Sequence, residues 1–192
     1  MTGRALAFLV ATLGAVFLVA GYGFGADWLL APTRGVPMRA STAFAFTLLG
    51  LAIGLVQTFR AQIAYVVACS LAFMAIAAMA WISLSLAANT TLGTDHPLVI
   101  GTAPGRSPAY GTQIGLGLIA LSVIVRTLRV GRVCSIVRYM GLASAALGAV
   151  GLIGHALGIG LLYWDWPSTG GMASSTAAML VMLGVATAWR KP

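Results

Sequence analysis

The 192-residue chain is 60% hydrophobic and only 7% charged, with a mean hydropathy of +0.99 and a net charge of +8. Soluble domains carry about 25% charged residues, so this composition excludes a soluble protein and predicts an integral membrane protein. The basic residues stand singly or in one short cluster at the ends of apolar runs, which indicates membrane orientation signals rather than a nucleic-acid surface. Cys69 and Cys134 lie on different segments and show no metal or disulfide spacing.

In chain order, the apolar segments predict six transmembrane helices, each near the roughly 20 residues that a span requires. We place them at about 5–25, 41–58, 62–86, 113–127, 139–163 and 174–189. Before the second helix, Pro32 and Pro37 interrupt the chain, and the oxygens of Ser41 and Thr42 are placed to cap the helix start. The longest polar stretch, 88–112, is rich in proline and glycine and predicts an external loop that can form a small cap or bind a partner.

Charge asymmetry predicts the orientation of this six-helix bundle. Six spans place both termini on one side, together with eight basic residues and no acid: Arg4, Arg60, Arg126, Arg129, Arg132, Arg138, Arg190 and Lys191. The other side holds three arginines and all three aspartates. Short cytoplasmic loops carry the excess of Lys and Arg, so we expect both termini in the cytoplasm and the chain in the inner membrane.

An internal repeat predicts how the bundle is built. The stretch MRASTAFAFTLLGLA at 38–52 returns as MASSTAAMLVMLGVA at 172–186, an offset of 134 positions, and the same offset relates 13–16 to 147–150. A register held without a gap across two helices predicts a duplicated hairpin, with repeat units 4–56 and 138–190. Two such units would be parallel repeats about an axis along the membrane normal. A weaker echo after Pro108 leaves a third related hairpin open.

One intramembrane histidine is the candidate cofactor ligand. His155 lies in GLIGHALGIG, and Gly151 one turn earlier leaves room for a flat ring or another helix. A neutral imidazole there could ligate a haem iron or a chlorophyll magnesium, and the Gly151–His155 spacing resembles the pigment-ligating pattern of light-harvesting helices. The alternative is a histidine that hydrogen-bonds to a neighbouring helix, since buried polar groups usually find such a partner. The bound molecules that we consider for this chain are a lipid, a pigment or a quinone.

Other chemistry has little support in the sequence. The predicted spans hold no Asp, Glu or Lys, which argues strongly against an ion pump and less strongly against a secondary transporter. We find no serine–histidine–acid set, phosphate loop or paired carboxylates, so we expect no enzyme. Asp95 and His96 in the polar loop are interpreted as solvated surface. Three glutamines near span ends are interpreted as wetted side chains: Gln57, Gln62 and Gln113.

The repeated motif at 38–52 and 172–186 resembles the multi-helix N-terminal membrane modules of bacterial sensor histidine kinases and diguanylate cyclases. The resemblance implies a membrane bundle that passes a signal to a cytoplasmic output domain. The chain ends at Pro192, three residues after its last predicted helix. We therefore expect any output to come through a partner rather than through catalysis by this chain.

Three functional hypotheses follow. The first is a non-catalytic subunit with a structural or accessory role in a larger cytoplasmic-membrane complex, photosynthetic or respiratory, which contacts lipids and other membrane subunits through glycine-rich helix faces and binds no nucleic acid. The second is a stand-alone sensory module that binds a small apolar ligand between its hairpins and acts through a partner protein. The third is a small-solute transporter.

Overall fold

The computed structural model describes residues 2–30, 37–59, 61–87, 109–127, 133–165 and 170–189. These ranges are helical and contain no β-strand. The helices are α1 (Gly3–Val16, continued by π-helical turns over Phe17–Gly23), α2 (Asp27–Leu30), α3 (Ala40–Thr58), α4 (Gln62–Ala87), α5 (Tyr110–Thr127), α6 (Val133–Leu157) and α7 (Ser174–Ala188), with a 3-10 turn at Gly160–Tyr163.

Five of the described helices are long and apolar enough to cross a membrane. They are α1 with its π-helical extension, α3, α4, α5 and α6; α7 is apolar but has 15 residues. The prediction of an all-α membrane bundle is therefore confirmed. The sixth span and the cytoplasmic location of the termini stay predictions.

The six main helices form an inner set and an outer set. The inner helices α3, α5 and α7 contact one another. Each outer helix packs against two of them: α1 against α3 and α7, α4 against α3 and α5, and α6 against α5 and α7. Burial agrees with this arrangement, because 72% of the apolar span of α3 is buried inside the bundle, compared with 22% of the apolar span of α4. Each hairpin, α1–α3, α4–α5 and α6–α7, thus supplies one outer and one inner helix.

Glycine brings the backbones together in two of the three hairpins. A Cβ added to Gly50 of α3 would lie 2.7 Å from the nitrogen of Ala11 and 2.7 Å from the carbonyl oxygen of Ala7, both on α1. A Cβ added to Gly184 of α7 would lie 2.6 Å from the nitrogen of Ala145 on α6. Small residues allow this approach in membranes, where packing replaces the hydrophobic drive between helices.

These glycine contacts occur at positions 134 residues apart. Gly14 of α1 approaches the carbonyl oxygen of Ala43, and Gly148 of α6 approaches that of Ala177, at 2.8 and 2.6 Å from the added Cβ. We call α1–α3 and α6–α7 the glycine hairpins, and α4–α5 the middle hairpin. The glycine hairpins pack alike at these positions, while their origin as repeat units 4–56 and 138–190 stays a prediction.

The predicted fifth helix, 139–163, was wrong at both ends. Helix α6 begins at Val133, so Arg138 lies within the helix, and it ends at Leu157. Gly158 then has φ +68°, a left-handed conformation that favours glycine. Ile159 N–H donates to the carbonyl of Gly154 at 2.9 Å, which with the left-handed glycine makes a Schellman C-terminus.

Helix capping by Ser41 and Thr42 was also wrong. Helix α3 begins at Ala40 and its N-cap is Arg39, which makes no side-chain capping bond. Ser41 and Thr42 lie inside the first turn and are buried. The buried Oγ atoms of Ser41 and of Ser175, at the corresponding position of α7, have no hydrogen-bond partner among the described residues.

Candidate functional site

A crevice of about 220 Å³ lies between α3, α4 and α5. Nine of its eleven described lining residues are apolar, and most of these are small: Ala45, Ala75, Ala80, Gly117 and Ala120. Leu49, Ile76, Met79 and Leu116 supply the rest of the apolar wall. A cavity of about 150 Å³ with apolar walls is large enough to bind benzene. The crevice therefore has room for a ring or a short hydrocarbon segment.

The composition of α4 explains why the crevice occurs where the middle hairpin meets α3. This outer helix contains no glycine. The buried alanines of α4 recur at helical spacing: Ala64, Ala68, Ala72 and Ala75. Helix α4 packs more extensively against α3 than against its own hairpin partner α5. On α5, a Cβ added to Gly117 would meet no atom within 4 Å. At Gly117 the close approach seen in the glycine hairpins is therefore absent, and the space beside this residue is open.

One end of the crevice is polar. Ser83 Oγ donates a hydrogen bond to Gln113 Oε1 at 3.3 Å. Ser83 is near the end of α4, and Gln113 is in the first turns of α5, so both lie at the same end of the hairpin. The described lining holds no titratable side chain. The crevice can thus hold an apolar body and offer hydrogen bonding at one end.

The structure places His155 in a hydrogen bond at the start of α7. Its Nε2 lies 2.6 Å from the carbonyl oxygen of Met172. A carbonyl only accepts, so Nε2 carries the proton in this arrangement. The imidazole also stacks on Tyr163, with ring centroids 4.5 Å apart and planes inclined by 7°. Met172 N–H in turn donates to the carbonyl of Tyr163 at 2.6 Å.

In the first glycine hairpin, Tyr22 makes the hydrogen bond that corresponds to the one between His155 and the Met172 carbonyl. Its hydroxyl donates to the carbonyl of Met38, which precedes Met172 by 134 positions. Tyr22 follows Gly14 by eight residues, whereas His155 follows Gly148 by seven. The π-helical turns at Phe17–Gly23 accommodate the additional residue, because a π-helix has a wider turn than an α-helix. We call these two interactions the methionine bonds.

The second predicted site residue, Gly151, is buried under the chain that leads into α7. A Cβ added to it would lie 3.0 Å from Met172 Sδ. The structure thus brings Gly151, His155 and Met172 together, and it does not join them to the crevice. Ligation of haem or chlorophyll by His155 stays a prediction.

Two of the three glutamines interpreted as wetted side chains bind within the bundle instead. Gln57 Nε2 donates to the carbonyl of Ala186 at 2.8 Å, and Gln113 accepts from Ser83. Arg126 also reaches α7, with its Nη2 3.4 Å from the carbonyl of Thr187. Gln62 is exposed at the start of α4. The position of these side chains near the ends of apolar segments did not predict their hydrogen bonds, because the partners lie on other helices.

Other predicted features lie partly or wholly outside the described residues. Asp95, His96 and residues 88–108 of the polar loop are outside them, as is the side chain of Cys134. Cys69 is half-buried on α4. Within the described ranges, no three His, Cys, Asp or Glu side chains are grouped as metal ligands would be.

Comparison of the chain with protein families, curated proteins and solved structures finds no match. The resemblance to sensor membrane modules therefore stays a prediction. The sequence hypothesis of an apolar ligand between the hairpins named none of the residues that line the crevice, although one signal was present: α4 is the outer helix without glycine.

Proposed function

We propose that this chain is a non-catalytic membrane module that binds a small apolar molecule in the crevice and acts through a partner protein. The observation that carries the proposal is the crevice itself. Ligand sites in proteins are concave and mostly apolar, with few polar groups, and this one matches that description. Because Ile76 and Ala80 are exposed on α4 beside it, a molecule dissolved in the bilayer can reach it from the side.

The proposal includes six spans with both termini in the cytoplasm of a bacterial inner membrane. The 15 residues of α7 extend ~22 Å at 1.5 Å per residue, less than the ~30 Å hydrocarbon core. The buried, non-helical residues 170–173 precede α7, and in this proposal they would supply the remaining length. Irregular backbone at membrane depth is tolerated where protein covers it.

Orientation is tested by labelling single cysteines in a chain from which Cys69 and Cys134 have been removed. Thr2→Cys and Trp189→Cys are expected to react with a membrane-impermeant maleimide only after the cell is opened. Pro37→Cys, between α2 and α3, is expected to react in intact cells. Reaction of Thr2→Cys and Trp189→Cys on opposite sides would contradict the sixth span.

Ligand binding is tested with n-propylbenzene on the full chain in nanodiscs. The probe is expected to raise the midpoint of thermal unfolding, because a ligand that binds the folded state adds stability as its concentration exceeds Kd. Gly117→Leu is designed to fill the crevice from a position where an added Cβ meets no atom within 4 Å, and this variant is expected to lose the increase. The matched control is Ala77→Leu, at an exposed position of α4. An equal increase in all three proteins would show partition into lipid only and would overturn the proposal.

A second candidate is the accessory subunit of a larger membrane complex. The observation in its favour is the outer face of α4, where large apolar side chains are exposed: Ile63, Val66, Phe73, Met74, Trp81 and Leu84. Large apolar faces mark lipid or protein contact. Purification in mild detergent is expected to retain other membrane subunits at fixed stoichiometry if this candidate is right, and a single monodisperse chain would exclude it.

A further inference from the structure

The polar end of the crevice specifies which apolar molecule fits. We propose that the crevice selects a small apolar molecule carrying a hydroxyl group, which donates a hydrogen bond to Ser83 Oγ. This inference rests on the proposed function and adds the chemical class of the ligand. The selected ligand would be a phenol or a short-chain alcohol, which the crevice would bind more tightly than a hydrocarbon or an ether of the same size.

The direction of the hydrogen bond between Ser83 and Gln113 carries the argument. A serine hydroxyl has one proton and two acceptor lone pairs. Ser83 uses its proton in the bond to Gln113 Oε1, so toward a ligand it acts as an acceptor. A ligand hydroxyl can donate to Ser83 Oγ, whereas an ether or ketone oxygen beside Ser83 Oγ would place one acceptor against another. Hydrogen bonds in a chain of this kind polarise and strengthen one another.

The shape of the crevice sets the orientation of the ligand. Gln113 and Ala120 both line it and lie seven residues apart on α5, which is ~10 Å along the helix axis. The hydroxyl is placed beside Ser83, at the end of the bundle where α5 begins, and the apolar body points toward Ala120 and Leu49. A crevice of about 220 Å³ accommodates a substituted benzene ring in this direction.

Three probes separate the hydroxyl from the apolar body: 4-propylphenol, 4-propylanisole and n-propylbenzene. The anisole keeps the oxygen but cannot donate. Affinities are measured on the full chain in nanodiscs and corrected with the partition of each probe into empty nanodiscs. Wild type is expected to bind the phenol roughly 3- to 10-fold more tightly than the anisole, the ratio that one neutral hydrogen bond supplies.

Two variants test the assigned group. Ser83→Ala is expected to reduce the phenol-to-anisole ratio to about one while n-propylbenzene still binds. Gln113→Leu removes the acceptor for the Ser83 proton, and the preference is expected to move toward the anisole. Circular dichroism and the unfolding midpoint without probe confirm that each variant is folded, and Ser70→Ala, exposed on α4 and outside the crevice, serves as the control.

The outcomes distinguish the two proposals. If Gly117→Leu leaves the binding of every probe unchanged, the crevice is not the binding site and the proposed function fails. If Gly117→Leu abolishes binding but Ser83→Ala leaves the ratio unchanged, only the hydroxyl assignment is overturned. Equal affinity of wild type for all three probes would also overturn it, because the crevice would then recognise only the apolar body that the probes share.

Discussion

The glycine hairpins and the middle hairpin differ in the space that surrounds their glycines. In α1–α3 and α6–α7, glycine on each helix lets the other backbone approach until no Cβ would fit. In α4–α5, the outer helix offers alanine in place of glycine, and Gly117 of the inner helix faces open space. Dispersion forces weaken steeply with a gap of even 1 Å, so the middle hairpin lacks contact energy that the other two have.

This difference indicates a division of roles within one bundle. The glycine hairpins hold the frame, because their helices also carry the methionine bonds and the contacts of α1 with α7. The middle hairpin, with α3, encloses the crevice and has open space beside Gly117. The close glycine contacts and the crevice thus share only α3, which carries Gly50 and also lines the crevice with Ala45 and Leu49. If the proposed function is right, substitutions on α4 and α5 should affect binding more than stability.

The largest expected effect comes from filling the glycine contacts. Gly50→Leu and Gly184→Leu are each expected to lower the free energy of unfolding by ~3 kcal/mol or more, because overpacking against backbone cannot be relieved by a side-chain rotation. Gly117→Leu, the same change in the middle hairpin, is expected to stay within ~1 kcal/mol of wild type. Unfolding in mixed micelles with increasing SDS measures all three. Equal losses would remove the distinction between the hairpins.

The methionine bonds should matter next. Tyr22→Phe and His155→Phe keep an aromatic ring but leave a carbonyl without its donor, which costs ~1–2 kcal/mol. We expect similar losses at the two positions in the same SDS titration, since both bonds act at the start of an inner helix. Tyr139→Phe, at an exposed position of α6, is the control and should change little. A loss at only one position would show that the glycine hairpins differ at these bonds.

The His155→Phe variant also tests the predicted cofactor. A haem or chlorophyll bound to His155 would give the purified wild-type protein a visible absorption band, and the substitution would remove it. A colourless wild-type protein would exclude both pigments.

A smaller effect is expected where α3 meets the end of α7. Gln57→Ala removes the bond to the carbonyl of Ala186 and is expected to lower the free energy of unfolding by ~1 kcal/mol. Gln62→Ala removes an exposed glutamine at the start of α4 and should have no measurable effect. If the two variants behave alike, the cross-helix bond of Gln57 contributes nothing to the frame.

The smallest expected effect is that of Gly117→Ala, and its sign should be opposite to that of the same change in a glycine hairpin. Gly117→Ala places a methyl group in open space and removes a flexible residue from a helix, so it should raise the free energy of unfolding by up to ~1 kcal/mol. Gly148→Ala places the same group 2.6 Å from the carbonyl oxygen of Ala177 and should lower it. The SDS titration would contradict the comparison if both changes had the same sign.

Sequence reasoning reached the parts of this structure that depend on composition and periodicity. Apolar runs predicted the membrane helices, and most helix boundaries lie within a few residues of their predicted places. It missed the end of α6, although Gly158 was visible, because a left-handed glycine was not distinguished from the packing glycines around it. It also placed Ser41 and Thr42 as caps, whereas the hydroxyl of Tyr22 binds the backbone just before α3.

The candidate site was harder to predict from the sequence, because a crevice forms where the faces of neighbouring helices do not pack closely. No single residue of the lining has unusual chemistry. Ser83 and Gln113 are 30 positions apart, and their pairing depends on how α4 and α5 align. The absence of glycine from α4 was the available signal, but its meaning emerged only from comparison with the contacts of Gly14 and Gly50.

The proposed access to the crevice from the bilayer has a consequence for the quantity that would control its occupancy. A ligand would arrive from the bilayer, so the relevant quantity is its mole fraction in lipid rather than its concentration in water. Each methylene group favours the bilayer by ~0.8 kcal/mol, which is roughly a fourfold enrichment. Homologous alcohols of increasing chain length would therefore act at progressively lower aqueous doses, until the crevice no longer accommodates the chain.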